Sequence, residues 1–159
     1  MIHEGTHGIQ ALDLLGRKVV MDGGAGLDLL RSAIADTVGR AEAVEPLAGH
    51  AQALTAAAEH VAAATRAAWA TGSPEEALAN ATPYLQAFGH VVIAWIWLDV
   101  AVCAARQAGS GAAADAASLA GKLAACRYFF HYELPRVAAW LGVVETRDDT
   151  CRTMAEDSF

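Results

Sequence analysis

The most chemically suggestive segment of the chain is residues 3–7, where two histidines flank a glutamate (His3-Glu4-Gly5-Thr6-His7). It satisfies the HExxH pattern, which in zinc peptidases puts two histidines on one helical face and uses the glutamate as general base. Two features oppose this interpretation. Gly5 costs a helix about 1 kcal/mol relative to alanine, and no HxxGxxH or ExxxD pattern supplies a third ligand. A zinc hydrolase is therefore a remote alternative, and we expect no metal ligands.

The remaining histidines do not form a metal-binding pattern. They fall on different predicted helices without i, i+4 pairing, so ordinary hydrogen-bonded roles are expected for His50, His60, His90 and His131.

Asp99 and the cysteines have structural interpretations. Asp99 lies in an apolar helix and needs a partner, for which Arg106 and Arg127 are candidates in a structural ion pair. Cys103 and Cys126 are expected to be small buried side chains.

Composition limits the class of protein. The 159 residues carry a formal net charge of −7, and 55% of them are apolar. An acidic surface is a poor match to nucleic acid and to anionic membrane surfaces. Residues 1–20 carry charges without the apolar core of a signal peptide, and the three cysteines form no CxxC. These features predict a cytoplasmic protein with reduced thiols.

Hydrophobic periodicity predicts an all-α protein, an antiparallel bundle of about four to five helices. Glu4 and Thr6 suit the start of the first helix, whose apolar stripe includes Ile9, Leu12, Leu15 and Val19. The predicted helices span residues 6–21, 26–43, 47–70, 73–107 and 113–141.

Glycine and proline mark the expected breaks in these helices. Gly72 can end one helix, and Ser73 can cap the next with Glu76 completing a capping box. Pro83 should kink or split the fourth helix, and Pro135 should kink the fifth.

Two further segments are interpreted from composition. Residues 91–105 are strongly apolar, but about 15 residues are too few to cross a membrane, and Asp99 interrupts them. We expect a buried helix and no membrane span. Residues 145–159 form a polar tail that is expected to be loosely ordered.

The opening segment carries a specific resemblance. Residues 2–18 read IHEGTHGIQALDLLGRK and resemble the acyl-CoA dehydrogenase segment IYEGTNGIQALDLLGRK. Further motifs (FGH at 88–90, AWIWL at 94–98, KLAACRYFF at 122–130 and ELP at 133–135) look like the extra C-terminal helical domain of the methylthiopropanoyl-CoA dehydrogenase-like branch. The resemblance covers nearly the whole chain.

The resemblance implies a mechanism and three site residues. Glu4 stands where the family's glutamate removes the α-proton of an acyl-CoA, while FAD accepts the β-hydrogen as hydride. Gly5 would let the backbone approach the thioester substrate, and Thr6 would contact the FAD cofactor. His3 and His7 replace a tyrosine and an asparagine of the family segment.

The resemblance also implies a partial enzyme. The flavin-binding domains of the family have no counterpart in these residues, so we expect a fragment, split subunit or degenerate remnant that holds no FAD and is inactive alone. We predict three parts: residues 1–22, the end of the catalytic bundle; 23–144, the C-terminal-like helical domain; and 145–159, the tail. The alternative is a non-catalytic docking or dimerisation domain that forms a homo-oligomer or joins the flavin-binding domains.

Overall fold

The computed structural model describes residues 4–109, 115–155 and 157, with side chains from Thr6 onwards. This part is helical and contains no strand, which confirms the predicted all-α class. Its α-helices are α1 (Glu4–Asp13), α2 (Ala25–Glu42), α3 (Ala48–Ala68), α4 (Pro74–Leu78), α5 (Ala81–Gly109), α6 (Ala116–Tyr128), α7 (Arg136–Glu145) and α8 (Thr150–Thr153).

Two helices continue into π-helical turns. Leu14–Lys18 extends α1, and Phe129–Glu133 extends α6 towards α7. Pro135 follows the second π turn; it has no backbone N–H and its ring crowds the preceding turn. The helix is accordingly interrupted at Leu134 and Pro135, as predicted, and α6 and α7 form one kinked arm.

The bundle is built around α5, which contacts α1, α2, α3, α6 and α7. The short connection between α2 and α3 makes them antiparallel neighbours, and α3 also packs against α7. Many positions at the helix contacts are alanine, which lets the helix axes approach closely. Fully buried examples are Ala51, Ala64, Ala87, Ala94 and Ala101.

The connection from α3 to α5 has the helix end and the helix cap that the sequence predicts, with two differences. Gly72 adopts a left-handed conformation (φ 72°), and the Ser73 hydroxyl accepts a hydrogen bond from the Glu76 N–H. The Glu76 carboxylate, however, accepts from the Thr71 hydroxyl at 2.9 Å and does not complete a capping box. The helix break falls at residues 79–80, so Pro83 lies in the first turn of α5, where a missing N–H is harmless.

The apolar run 91–105 lies within α5, which is 29 residues long and ends close to the predicted residue 107. By length and composition α5 could cross a membrane. Within this bundle, however, one side of α5 packs against other helices, and Ala94, Leu98 and Val102 are fully buried. This is also the arrangement of a core helix.

The polar tail is better ordered near its start than the sequence suggests. The Arg147 guanidinium donates to the Ala67 carbonyl at 2.9 Å, and the Asn80 side-chain amide donates to the Asp148 carbonyl at 2.8 Å. Arg152, in α8, lies 3.4 Å from the Glu75 carboxylate. These long-range contacts hold residues 146–153 against α3 and α4, which periodicity alone could not predict.

Candidate functional site

The three residues assigned by resemblance begin α1. The helix starts at Glu4, so Glu4, Gly5 and Thr6 all lie in its first turn. Thr6 is exposed. The Glu4 side chain and the whole of His3 lie outside the described part of the structure, and with them two side chains of the HExxH pattern.

Core packing fixes the position of α1. Ala11, Leu15 and Val19 are buried in the same hydrophobic core as the rest of the bundle. The π turn leaves the Leu15 carbonyl available, and it accepts a hydrogen bond from the Trp69 indole at 3.2 Å. The first turn of α1 is therefore set by packing further along the helix.

A polar contact ties the first half of α1 to α5. The Gln86 amide nitrogen lies 3.1 Å from Nε2 of His7. His7, the second histidine of the HExxH pattern, thus faces a glutamine on α5. Among the described residues there is no group of three histidines, cysteines or carboxylates that could hold a metal.

A groove of about 480 Å³ runs between α1 and α5. Its apolar lining includes Leu14 from the α1 extension and Phe88 and Ile93 from α5. Elsewhere on α1, Ile9 is 68% exposed and Leu12 is 47% exposed. We call the groove, together with Ile9 and Leu12, the α1–α5 surface.

The α1–α5 surface does not have the chemistry of a flavin site. A flavin dinucleotide carries a diphosphate, which needs cations or free backbone amides. In the groove, the one cationic lining residue is Lys18, and the carboxylate of Asp13 lines the same groove. Asp13 is itself paired with Arg17 at 2.6 Å. This groove therefore lacks the groups that would hold the diphosphate.

The partner of Asp99 was predicted wrongly. The Arg40 guanidinium, on α2, donates to Asp99 Oδ1 at 2.7 Å, and neither Arg106 nor Arg127 takes this role. Arg40 also donates to the Thr37 hydroxyl, which accepts from the Trp95 indole at 2.8 Å. These residues form a polar clip between α2 and α5, and the sequence could not show which faces of the two helices meet.

The histidines assigned structural roles have different partners. His60 lies 3.2 Å from Glu145, and His90 lies 3.5 Å from Glu133. The His50 ring stacks on that of His131, with centroids 6.0 Å apart.

The cysteine prediction was half right. Cys126 is buried, and burial raises the pKa of its thiol to about 11. Cys103 is exposed and so contradicts its predicted buried role. All three cysteines are free thiols.

Most of the aromatic side chains of α5 and of the α6 extension face the core. Phe130 is buried, and Trp95, Trp97 and Phe129 pack against the core. Tyr128 is 55% exposed, and its ring stacks on that of Tyr132.

Comparison with known proteins decides the family. Residues 30–155 match the family model described as "Acetyl-CoA dehydrogenase C-terminal like". The chain belongs to the acetyl-CoA dehydrogenase C-terminal-like family. This result confirms the resemblance seen in the sequence.

The chain also matches part of a longer curated relative. The chain is 34% identical over 143 residues to 3-methylmercaptopropionyl-CoA dehydrogenase of Ruegeria pomeroyi. The alignment covers 87% of this chain and 24% of the relative. The chain therefore spans about a quarter of the length of that relative and corresponds to a C-terminal part of an acyl-CoA dehydrogenase-like enzyme.

Sequence reasoning missed the α1–α5 surface, although a signal was present. Ile9 and Leu12 were assigned to the buried stripe of the first helix, and the structure exposes both. Apolar residues at positions 9, 11, 12, 14 and 15 cover more than one helical face. A helix that is apolar around most of its circumference is normally buried on several sides.

Proposed function

We propose that the chain supplies the C-terminal part of an FAD-dependent acyl-CoA dehydrogenase, which forms an α,β double bond in an acyl-CoA thioester. Family membership and the resemblance of residues 2–18 support this proposal. The observation that carries it is the half-covered α1. The helix that begins at Glu4 is anchored in the bundle through Leu15, yet it leaves Ile9 and Leu12 open to water.

We propose that the flavin-bearing part of the same enzyme covers the α1–α5 surface. About three quarters of the related dehydrogenase lie outside the matched segment, so in that relative the segment is accompanied by a much larger part of the enzyme. Contiguous apolar grooves of this kind are typical of interaction sites. Docking there would bring the first turn of α1, and Glu4 with it, against the part of the enzyme that holds the cofactor.

Each of the three site residues has a proposed role. The Glu4 carboxylate takes the α-proton of the acyl-CoA, and exclusion of water by the docked part makes it a more effective base. Gly5 admits the thioester close to the backbone, and the Thr6 hydroxyl contacts the cofactor. The acceptor of the β-hydrogen belongs to the rest of the enzyme, so the isolated chain holds no FAD and does not catalyse the reaction.

A chimera tests this proposal directly. The matched segment of the Ruegeria pomeroyi relative is replaced by this chain, and the purified protein is mixed anaerobically with 3-methylmercaptopropionyl-CoA. We expect the flavin absorbance of the chimera to bleach on mixing. Glu4→Gln should keep the bound flavin and the thermal stability but lose the bleaching, because the amide cannot accept the α-proton.

The control is Glu42→Gln, an exposed glutamate at the end of α2. This variant should bleach as fast as the unmodified chimera. If Glu4→Gln bleaches at the same rate as Glu42→Gln, Glu4 is not the base. If the chimera binds no flavin while the isolated chain forms a dimer by light scattering, the second candidate, a dimerisation domain, is favoured.

The proposed location is the cytoplasm. The free thiols of Cys103, Cys126 and Cys151 and the acidic composition support it. Acyl-CoA is the proposed substrate of the complete enzyme, and neither nucleic acid nor a membrane is a proposed partner.

A further inference from the structure

A second groove, far from α1 in the sequence, lies between the start of α3 and one face of α6. It measures about 290 Å³ and is close to the lower end of ligand pockets, roughly 300 Å³. Leu47 and Leu123 give it an apolar floor, and Ala120 and Ala124 keep it open. Arg127 stands at the end of the α6 face, one helical turn after Leu123.

The Arg127 end of the groove is cationic. Arg127 is exposed and forms no ion pair with a carboxylate in the part of the chain that the structure describes. His131 follows it by one turn, and its ring stacks on that of His50, which lines the groove. One side of this pocket is therefore apolar, and the other carries Arg127 and the imidazole of His50.

The pKa of the His50 ring responds to the charges at the Arg127 end of the groove. Burial and the charges of His131 and Arg127 all lower the pKa of its ring. Glu45, in the adjoining turn, is exposed and is not among the charges that act on His50. Nε2 of His50 is buried and has no hydrogen-bond partner among the described residues. The two charged groups that act on the His50 ring, His131 and Arg127, thus both disfavour its protonation.

We infer that this groove binds an alkyl carboxylate, with the carboxylate at Arg127, beside His50, and the alkyl chain over Leu47 and Leu123. A guanidinium matches a carboxylate through two parallel N–H donors. The apolar floor suits the alkyl chain of the ligand, because each CH₂ group that it buries contributes favourably to the free energy of binding. The site uses no residue of the α1–α5 surface, so it stands independently of the proposed dehydrogenase function.

The test uses octanoate as the probe, with titration calorimetry on this chain. Acetate has the carboxylate without the long alkyl chain, and octanol has the alkyl chain without the carboxylate. Octanoate should therefore bind more tightly than either. Octanoate should also raise the titration midpoint of the His50 ring, followed by its C–H signals in NMR, because the bound anion offsets the charges of Arg127 and His131.

Variants separate the two halves of the site. Arg127→Gln should weaken octanoate binding by roughly fivefold, the scale of an exposed ion pair. Ala124→Trp should fill the groove and abolish binding while leaving the charges in place. Both positions are exposed, so the fold should survive. The matched controls are Arg106→Gln on α5 and Ala139→Trp on α7, both exposed and outside the groove.

Three outcomes would overturn the inference. Octanoate could fail to move the His50 signals, octanol could bind as tightly as octanoate, or Arg106→Gln could weaken binding as much as Arg127→Gln. The last result would show a general charge effect rather than a site.

Discussion

The two sides of α5 are both apolar, yet only one is closed within this chain. On the closed side, residues 84, 87, 91, 94 and 98 recur at alternating spacings of three and four and are buried. This is the seam expected of packed helices. On the other side, Ile93 is 43% exposed and Ile96 is 52% exposed. The difference shows that this bundle closes one side of α5 and leaves apolar side chains of the other side exposed to water.

The largest expected loss of stability comes from shortening a buried side chain on the closed side of α5. Leu98 is fully buried, and Leu98→Ala should destabilise the chain by about 2–5 kcal/mol through lost burial and a cavity. Thermal unfolding followed by circular dichroism should show a Tm lower by roughly 5–15 °C. Ile96→Ala, two residues away, should change stability by no more than about 0.5 kcal/mol. Equal losses in the two variants would mean that the sides do not differ.

The next effect concerns a polar contact within the closed side. Tyr84 is fully buried, and its hydroxyl lies 2.6 Å from the Thr65 hydroxyl on α3. Tyr84→Phe removes this hydrogen bond and should cost about 1–2 kcal/mol in urea unfolding. Thr55→Val makes a comparable change at an exposed hydroxyl of the same helix and should cost less.

Tyr84 also predicts the alkaline limit of stability. Burial raises its pKa from 10.0 to about 12. The folded state therefore holds this proton more tightly, so its contribution is complete below pH 10 and is lost as the pH rises towards 12. Tyr84→Phe should flatten the fall in stability over this window. A fall of unchanged steepness would show that other groups, such as Cys126, dominate it.

A smaller effect is expected at the clip between α2 and α5. The Arg40 and Asp99 side chains are 40% and 45% exposed, so water and salt weaken their attraction. A double-mutant cycle with Arg40→Gln and Asp99→Asn should give a coupling energy below about 1 kcal/mol that falls in high salt. A coupling of several kcal/mol would identify the clip as a desolvated pair. Arg106→Gln with Asp99→Asn is the uncoupled control.

Local sequence signals predicted where the helices begin and end better than they predicted which side chains from different helices meet. Gly72, Ser73 and Pro74 act through their own backbone geometry and nearest neighbours, so the break after α3 was readable from the sequence. The partner of Asp99 was not readable, because it depends on which face of α2 meets α5. The assignment of Glu4 rests on resemblance alone, and it stays a prediction.

The same reasoning explains the error at Ile9 and Leu12. Periodicity identified them as residues that need cover, and that inference does not specify whether the cover comes from the same chain. Leu15, on the same helix, is covered by this bundle, whereas Ile9 is not. The pattern of burial along α1 therefore shows which of its apolar residues this bundle covers and which it leaves exposed.

The smallest loss of stability in the isolated chain is expected at the exposed residues of α1. The same substitutions should have a larger effect in the chimera. Ile9→Gln and Leu12→Gln together should leave the Tm of this chain nearly unchanged, because both side chains already contact water. In the chimera with the flavin-bearing part, the same pair should cost roughly 1.5–3 kcal/mol per side chain that becomes buried. The chimera should then unfold at a lower temperature and release flavin more readily, which fluorescence measures. Leu29→Gln, at a 73% exposed leucine on α2, is the matched control and should be neutral in both proteins. If the α1 pair is as neutral in the chimera as Leu29→Gln, the flavin-bearing part does not cover α1.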